Sequence, residues 1–179
     1  MEPVVFEDKE IKMSDASEKP WATNGHGNKR PHNIVNSLYL QADELEQYNV
    51  ERFKRYEKVK EELPELESYL CDDAEIVVAA YGSVARIAKA AVEQARAEGI
   101  KAGLARPITL YPYPEKELKT ACKTAKKVLV TEMSMGQMVD DVRLALECRL
   151  PVEFFGRTGG VVPKPSEILA KIKEMKGAE

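Results

Sequence analysis

The sequence predicts a three-layer α/β/α domain with a mainly parallel, open sheet of four or five strands, preceded by an extended arm and a long helix. From residue 73 to residue 179, short apolar runs alternate four times with amphipathic helical stretches. Repeated strand–helix units of this kind form a parallel sheet with helices on both faces. The apolar runs are continuous rather than alternating, as expected of strands that are covered on both sides.

Residues 1–40 differ from the rest because they lack sustained periodicity and are interrupted by prolines and glycines. This composition indicates an extended arm or linker. Residues 41–72 are interpreted as a helical linker. From Ala42 to Glu62, apolar residues recur on one broad face and charged residues fill the other. The apolar face indicates that another surface covers this helix.

The first strand–helix unit begins with the apolar run Ile76–Tyr81, and Gly82 and Ser83 turn the chain into a helix. Gly99 ends that helix, in the position where a C-terminal glycine is common. The spacing of the apolar residues predicts a core-facing helical stripe, made of Val84, Ile87, Ala88, Ala91, Val92 and Ala95.

The second unit has a strand over Lys101–Arg106 and a helix over Glu115–Ala125. Three prolines stiffen the corner between them. The third strand, Val128–Thr131, leads to a methionine-rich helix whose apolar side is predicted to fill the core, with Met133 and the set Met135, Met138, Val139, Val142 and Leu146.

The fourth strand covers Val152–Phe155, and Gly156–Pro165 forms a loop. Ser166 is a suitable N-cap for the last helix, Glu167–Lys176.

Composition excludes several classes of function. The net charge of −3 offers no basic face for nucleic acid, and no apolar run approaches the ~18 residues of a membrane span. The N-terminus lacks the features of a secretory signal. The cysteines Cys71, Cys122 and Cys148 are odd in number and widely spaced. They fit a reducing cytoplasm, and without a CxxC motif they predict no metal or iron–sulfur site in this chain.

Candidate site residues lie where strands end. Gly82 and Ser83 stand at a helix N-terminus, which can hold an anion, or they form only a tight turn. Glu132 could act as an acid or base, or accept hydrogen bonds from backbone amides across the sheet edge. A single carboxylate without a visible partner is more often structural or interfacial.

The arginines at strand ends are the other candidates. Arg157 beside Gly159 and Gly160 could seat an anion or make a subunit contact, and the contact is favoured slightly. Arg106 stands at a rigid strand exit that presents it to a neighbouring domain or subunit. No nucleophile, metal set or catalytic acid–base pair accompanies these residues, so the sequence predicts no catalytic residue.

Several runs taken together resemble the C-terminal part of the α subunit of 2-oxoacid:ferredoxin oxidoreductases, and they look most like the 2-oxoisovalerate/2-oxoglutarate type. The resemblance covers almost the entire chain. The runs that carry it are Lys19–Ala22, Asn36–Leu40, Val78–Arg86, Arg106–Pro114, Glu132-Met133, Gly136–Met138 and Phe155–Gly160.

The resemblance implies a fold like the C-terminal domain of transketolase. It also implies an enzyme that oxidatively decarboxylates a 2-oxoacid to an acyl-CoA, using thiamine diphosphate, Mg²⁺ and iron–sulfur clusters, with ferredoxin as electron acceptor. In that family another subunit, the β subunit, holds the diphosphate and metal, and substrate-facing residues lie in a first domain that this sequence does not contain. The resemblance therefore implies a part that serves assembly and walls the active site, without cofactors of its own and inactive alone.

The resemblance leads to one further expectation, and two alternatives remain open. Met1–Val4 resembles the tail of the family's first domain, so we expect the reading frame to continue upstream. A standalone, non-enzymatic interaction module of the same fold would instead need no missing piece. The strand-edge loops at Gly82, Arg106 and Arg157 could also bind a phosphorylated ligand such as coenzyme A.

Overall fold

The computed structural model describes residues 19–177, which fall into two units, one ending at Tyr48 and one beginning at Asn49. The resemblance noted at Met1–Val4 lies outside the described residues. In the first unit, residues 19–40 form turns and extended chain. Arg30 holds one turn there by donating to the carbonyls of Ala22, at 3.1 Å, and Gly25, at 3.3 Å.

Helix α1 spans Ala42–Glu62, as predicted, and none of its residues is buried. Its apolar residues are therefore exposed or only half-buried. Phe53, for example, leaves 56% of its surface accessible. Ion pairs along the charged face, such as Lys60 with Glu57 at 2.8 Å, support the helix locally.

The second unit is built on one five-stranded sheet in the order β1-β3-β2-β4-β5. Strand β1 is antiparallel to β3, and the other three pairs are parallel. The predicted mainly parallel α/β architecture is thus confirmed. The strands are β1 Leu66–Tyr69, β2 Ile76–Ala79, β3 Ala102–Pro107, β4 Lys127–Glu132 and β5 Val152–Gly156, and the helices are α2 Gly82–Ala97, α3 Glu115–Ala121, α4 Met138–Ala145 and α5 Pro165–Gly177.

Strand β1 is the element that the sequence analysis did not assign. Its four residues pair with β3 at the edge of the sheet, with Glu67 opposite Arg106. Glu67 and Ser68 are exposed, while Leu66 and Tyr69 are half-buried. Four residues with two polar ones at the centre carry too little periodicity to identify a strand.

The two faces of the sheet carry separate core layers. Along β4, Val128 and Val130 pack with α3 and α4, whereas Leu129 packs with α2 and α5. This alternation follows from the two-residue period of a strand. The α2 stripe is buried as predicted except at Ile87, which is half-buried, and Ala85 joins it.

The structure corrects three local predictions. Met133 and Met135 are exposed instead of filling the core, because α4 begins only at Met138 and the preceding residues form a loop. Ser166 is no N-cap, since α5 already begins at Pro165; the carboxylate of Glu167 accepts the Lys164 amide at 2.9 Å instead. Helix α3 also ends earlier than predicted, at Ala121.

Candidate functional site

The predicted site residues follow the carboxyl ends of the parallel strands. Strand β2 connects to β3 through α2 on one face, and β4 connects to β5 through α4 on the other face. Because β2 and β4 are neighbours whose connections leave in opposite directions, a topological switch point lies between them. Ligands of open α/β sheets bind in the crevice at such a point.

Glu132, the last residue of β4, is fully buried. Its carboxylate accepts the amides of Gln137 at 3.2 Å, Met138 at 3.0 Å and Val139 at 3.1 Å, and the hydroxyl of Ser134 at 3.1 Å. Free amides at a helix N-terminus are satisfied by an anion. Glu132 therefore caps α4 from within the chain, and its oxygens are engaged with backbone rather than directed to a ligand.

Arg106 lies in β3, which is separated from the switch point by β2. Its Nη1 donates to Glu67 of the neighbouring strand β1 at 2.8 Å. The Nε atom is buried without a hydrogen-bond partner in the described residues. The pair is half-exposed, so it contributes little to stability, and it neutralises the charge of Arg106 within the domain.

Arg157 follows β5 and lies against α5. Its guanidinium pairs with Glu167 and stacks over the ring of Phe155, with 5.7 Å to the ring centroid. The amide of Lys164 and the nearby Arg157 guanidinium hold the pKa of Glu167 below its usual range. Gly159 and Gly160 adopt positive φ angles of 65° and 83° in the exposed loop beyond, a backbone conformation that glycine adopts readily.

Gly82 and Ser83 open helix α2 at the switch point and are both exposed. Tyr81, the N-cap residue, makes no side-chain hydrogen bond to the helix, and no acidic residue lies in the first turn. Gly82 has φ +56°, and a Cβ added there would meet nothing within 4 Å. Gly82 and Ser83 are therefore open to solvent in the described structure, whereas the side chain of Val84 is buried.

The proline corner after β3 has a structural function. It contains a cis peptide bond between Tyr111 and Pro112, and it packs Tyr113 against the core layer of α3 and α4. Burial raises the pKa of the Tyr113 hydroxyl strongly. The corner thus anchors the start of α3, which begins at Glu115.

The regions just described do not converge on one point. They are Glu132, Arg106, Arg157 with its loop, the start of α2 and the proline corner. The ends of β4 and β5 are joined directly, by a 3.1 Å hydrogen bond from the Arg157 amide to the Glu132 carbonyl. Sequence reasoning missed Thr131, a fully buried residue whose hydroxyl has no partner in the described residues. It ends an apolar run, and nothing in the sequence distinguishes it from a β-branched core residue.

Cysteines and other metal ligands are also separated. Cys71 and Cys122 are buried and Cys148 is exposed, and no group of three or more His, Cys, Asp or Glu side chains within residues 19–177 is arranged to hold a metal. None of the helices in that part of the chain is long and apolar enough to cross a membrane.

The fold and its strand-end residues together define a three-layer α/β domain whose charged strand-end side chains are mostly engaged within the domain. Residues 74–168 match the family described as pyruvate:ferredoxin oxidoreductase core domain II. The chain belongs to this family.

Known relatives agree with that assignment. The chain is similar to the ketoisovalerate oxidoreductase subunit VorB of Methanothermobacter thermautotrophicus, with 43% identity over 157 residues, which cover 88% of this chain and 44% of the relative. The chain thus spans less than half the length of that relative.

Two solved structures share the fold. A 2-oxoglutarate:ferredoxin oxidoreductase from Magnetococcus marinus, solved with 2-oxoglutarate, coenzyme A and succinyl-CoA bound, superposes with a TM-score of 0.66 at 23% identity, covering 80% of this chain and 25% of the other. An inactive tetramer of a split-gene transketolase superposes with a TM-score of 0.52 at 19% identity, covering 60% and 40%. The transketolase-like fold implied by the sequence resemblance is thereby confirmed.

Proposed function

We propose that this chain forms the C-terminal domain of the α subunit of a 2-oxoacid:ferredoxin oxidoreductase, which converts a 2-oxoacid and coenzyme A to an acyl-CoA. Its family membership and its similarity to a ketoisovalerate oxidoreductase subunit support this assignment. Within the enzyme, the domain takes part in subunit assembly and forms part of the wall of the active site. It does not turn over substrate alone.

The observation that carries the assembly function is the exposed apolar arm, defined here as residues 34–40. Its large side chains are between 69% and 85% accessible, namely those of Ile34, Val35, Leu38 and Leu40. Four exposed aliphatic side chains within seven residues are unfavourable in water, and such a concentration is typical of an interaction surface. The thiamine-binding β subunit and the other subunits of the enzyme are the proposed partners, with ferredoxin as electron acceptor of the whole.

Cofactors of the proposed enzyme are assigned to other parts of it. Iron–sulfur clusters require several thiolates at one place, whereas Cys71 and Cys122 are buried in the core and Cys148 is exposed. Mg²⁺ prefers grouped oxygen ligands, and no group of three or more His, Cys, Asp or Glu side chains within residues 19–177 is arranged to hold a metal. We therefore assign thiamine diphosphate, Mg²⁺ and the clusters to other parts of the enzyme.

The proposed division of the chain is an arm and linker over residues 1–40, a helical linker over 41–72 and the transketolase-like domain over 73–179. The cytoplasm is the proposed location, because three free cysteines fit a reducing compartment. The candidate substrates of the proposed enzyme are 2-oxoisovalerate and 2-oxoglutarate, which the names of the similar proteins indicate.

Association with the thiamine-binding subunit tests the proposal. Co-expression of the 179-residue chain with that subunit, followed by affinity purification and mass measurement, should give a stable complex. The double substitution Ile34→Asp with Leu38→Asp should abolish the complex, because it places two charges on the apolar arm. Leu144→Asp on α4 is the matched control, since Leu144 is also 74% exposed, and it should leave the complex intact.

Two results would contradict the proposal. A chain that remains a monomer beside the thiamine-binding subunit would support the standalone interaction module instead. Reduction of ferredoxin by the isolated chain, dependent on a 2-oxoacid and coenzyme A, would contradict the assignment of catalysis to other parts of the enzyme.

A further inference from the structure

The amino end of α2 has backbone donors that find no acceptor among the described residues. In a 16-residue helix beginning at Gly82, the first amides have no carbonyl of the preceding turn to bond. The Tyr81 carbonyl accepts the amide of Ala85 at 3.3 Å, and no side chain caps the helix. Within residues 19–177, the amides of Gly82, Ser83 and Val84 therefore have no acceptor, and they lie at the end where the helix dipole is positive.

The neighbouring helix shows what such amides bind in this protein. At the start of α4, three successive amides converge on the carboxylate of Glu132 at 3.0 to 3.2 Å. That carboxylate is supplied by the strand directly beneath the helix. At α2 the equivalent strand ends in Ala79, and Ala80 and Tyr81 follow it, so this strand end supplies no carboxylate to the helix.

A second, independent feature lies below α2. Thr131 is 0% exposed, and its Oγ1 atom has no hydrogen-bond partner in the described residues. A buried unpaired hydroxyl costs roughly 1–3 kcal/mol. Valine would fill the same space without that cost, so the hydroxyl requires an explanation, and a bound group that accepts its hydrogen bond supplies one.

The sheet register places Thr131 near the start of α2. Val130 is paired with Ala79, so Thr131 lies one residue further, level with Ala80. Its side chain alternates with that of Val130 and therefore points to the same face as Leu129, which is the face that α2 and α5 cover. The hydroxyl thus lies on the face of the sheet from which α2 starts, level with the residue two positions before Gly82.

We propose that the amino end of α2 is an oxyanion-binding site for a phosphate or carboxylate group, in which the Gly82, Ser83 and Val84 amides donate from the helix and the Thr131 hydroxyl donates from β4. Helix amides at a switch point are suited to this chemistry, since they combine directed donors with a positive potential. Gly82 allows close approach because it carries no side chain. The site does not depend on which 2-oxoacid the enzyme uses or on subunit assembly.

Titration followed by amide chemical shifts tests the site in the 179-residue chain. Inorganic phosphate, added at constant ionic strength against chloride, should shift the amide signals of Gly82, Ser83 and Val84 saturably. The same titration is then repeated with acetate and with coenzyme A. Tighter binding of coenzyme A than of phosphate would identify a nucleotide phosphate as the source, and tighter binding of acetate would identify a carboxylate.

Two variants separate ligand binding from folding. Ser83→Asp places a carboxylate in the first turn of α2, where it competes for the amides and repels the ligand, so phosphate binding should weaken about tenfold or more. Ser166→Asp adds the same charge to the first turn of α5 and should leave binding unchanged. Thr131→Val should weaken binding about fivefold while it raises or preserves the stability of the free protein.

The opposite outcomes would overturn the proposal. Shifts that are equal in chloride and phosphate, or that are spread over lysine-rich surface instead of residues 82–84, would mean that no site exists there. Equal phosphate affinity in Thr131→Val and the parent chain would remove the buried donor on which the assignment rests. Failure of subunit association alone would leave these shifts unaffected, so the two proposals fail separately.

Discussion

The buried carboxylate of Glu132 accepts a hydrogen bond from the backbone amide of Val139, 3.1 Å away and seven residues further along the chain. Because the same carboxylate also accepts the amides of Gln137 and Met138, it fixes the loop that crosses from β4 to α4. One side chain thereby determines where α4 begins, which is at Met138.

Removal of this carboxylate should destabilise the domain. Glu132→Ala leaves several buried amides without an acceptor, and we expect the free energy of unfolding to fall by about 3 kcal/mol. Glu132→Gln keeps an acceptor oxygen and should cost less. Urea unfolding measures both values, with Glu61→Gln on the exposed face of α1 as the control that should change little. Unchanged stability in Glu132→Ala would show that the carboxylate does not cap α4.

Gly103 on β3 should tolerate no side chain. A Cβ at this position would lie 2.6 Å from the carbonyl oxygen of Leu70 and 3.0 Å from the Sγ atom of Cys71. Because one of these contacts is with backbone, the edge of the sheet must shift, and Gly103→Ala should destabilise by about 1–3 kcal/mol.

The matched control for that substitution is Gly177→Ala at the end of α5, where an added Cβ meets nothing within 4 Å. Thermal unfolding followed by circular dichroism should show a lower midpoint for Gly103→Ala and little change for Gly177→Ala. Equal midpoints for the two variants would contradict the close approach of β3 and the residues after β1.

The parallel strands and the helices between them could be predicted from sequence because their apolar patterns are long and are set by burial on both faces. The run Ile76–Tyr81 and the α2 stripe are examples, and the structure buries both almost as predicted. Strand β1 could not be predicted in this way. It is held at the edge by pairing with β3 and by the contact between Glu67 and Arg106, and both are long-range interactions.

The function of the strand-end residues was less accessible to sequence reasoning. Glu132 and Arg157 could be selected because charged residues after apolar strands are conspicuous. Their partners could not, since the amides of α4 and the carboxylate of Glu167 come near only after the loops fold. Thr131 gave no signal at all, because its unpaired hydroxyl is a property of its surroundings.

Arg96 and Asp73 should make stability depend on pH. Arg96 donates to both carboxylate oxygens of Asp73, at 3.1 and 2.7 Å, and to the carbonyls of Leu70 and Ala102. The hydrogen bond from Arg96 lowers the pKa of Asp73 in the folded state. A carboxyl group with a lowered folded pKa stabilises the protein above its unfolded pKa of about 3.9 and loses that contribution as the pH falls through the folded value.

Asp73→Asn should therefore be less stable than the parent chain at neutral pH, and the difference should shrink below about pH 4. Urea unfolding at a series of pH values measures the difference. Asp72→Asn, one residue earlier and also exposed, is the control. A difference between Asp73→Asn and the parent chain that stays constant across the acid range would contradict the assigned ion pair.

The three cysteines should differ sharply in reactivity. Cys148 is exposed, whereas Cys71 and Cys122 are buried in the core. Burial raises the pKa of the Cys122 thiol to about 12, and burial also raises the pKa of Cys71. Because the thiolate is the reactive form, an aromatic disulfide reagent at neutral pH should titrate one thiol in the folded chain and three in denaturant.

Cys148→Ser should abolish the fast reaction of the folded chain with this reagent, while Cys122→Ala should leave it intact. Rapid reaction of a second thiol under native conditions would mean that the core layer between the sheet and α3 opens readily.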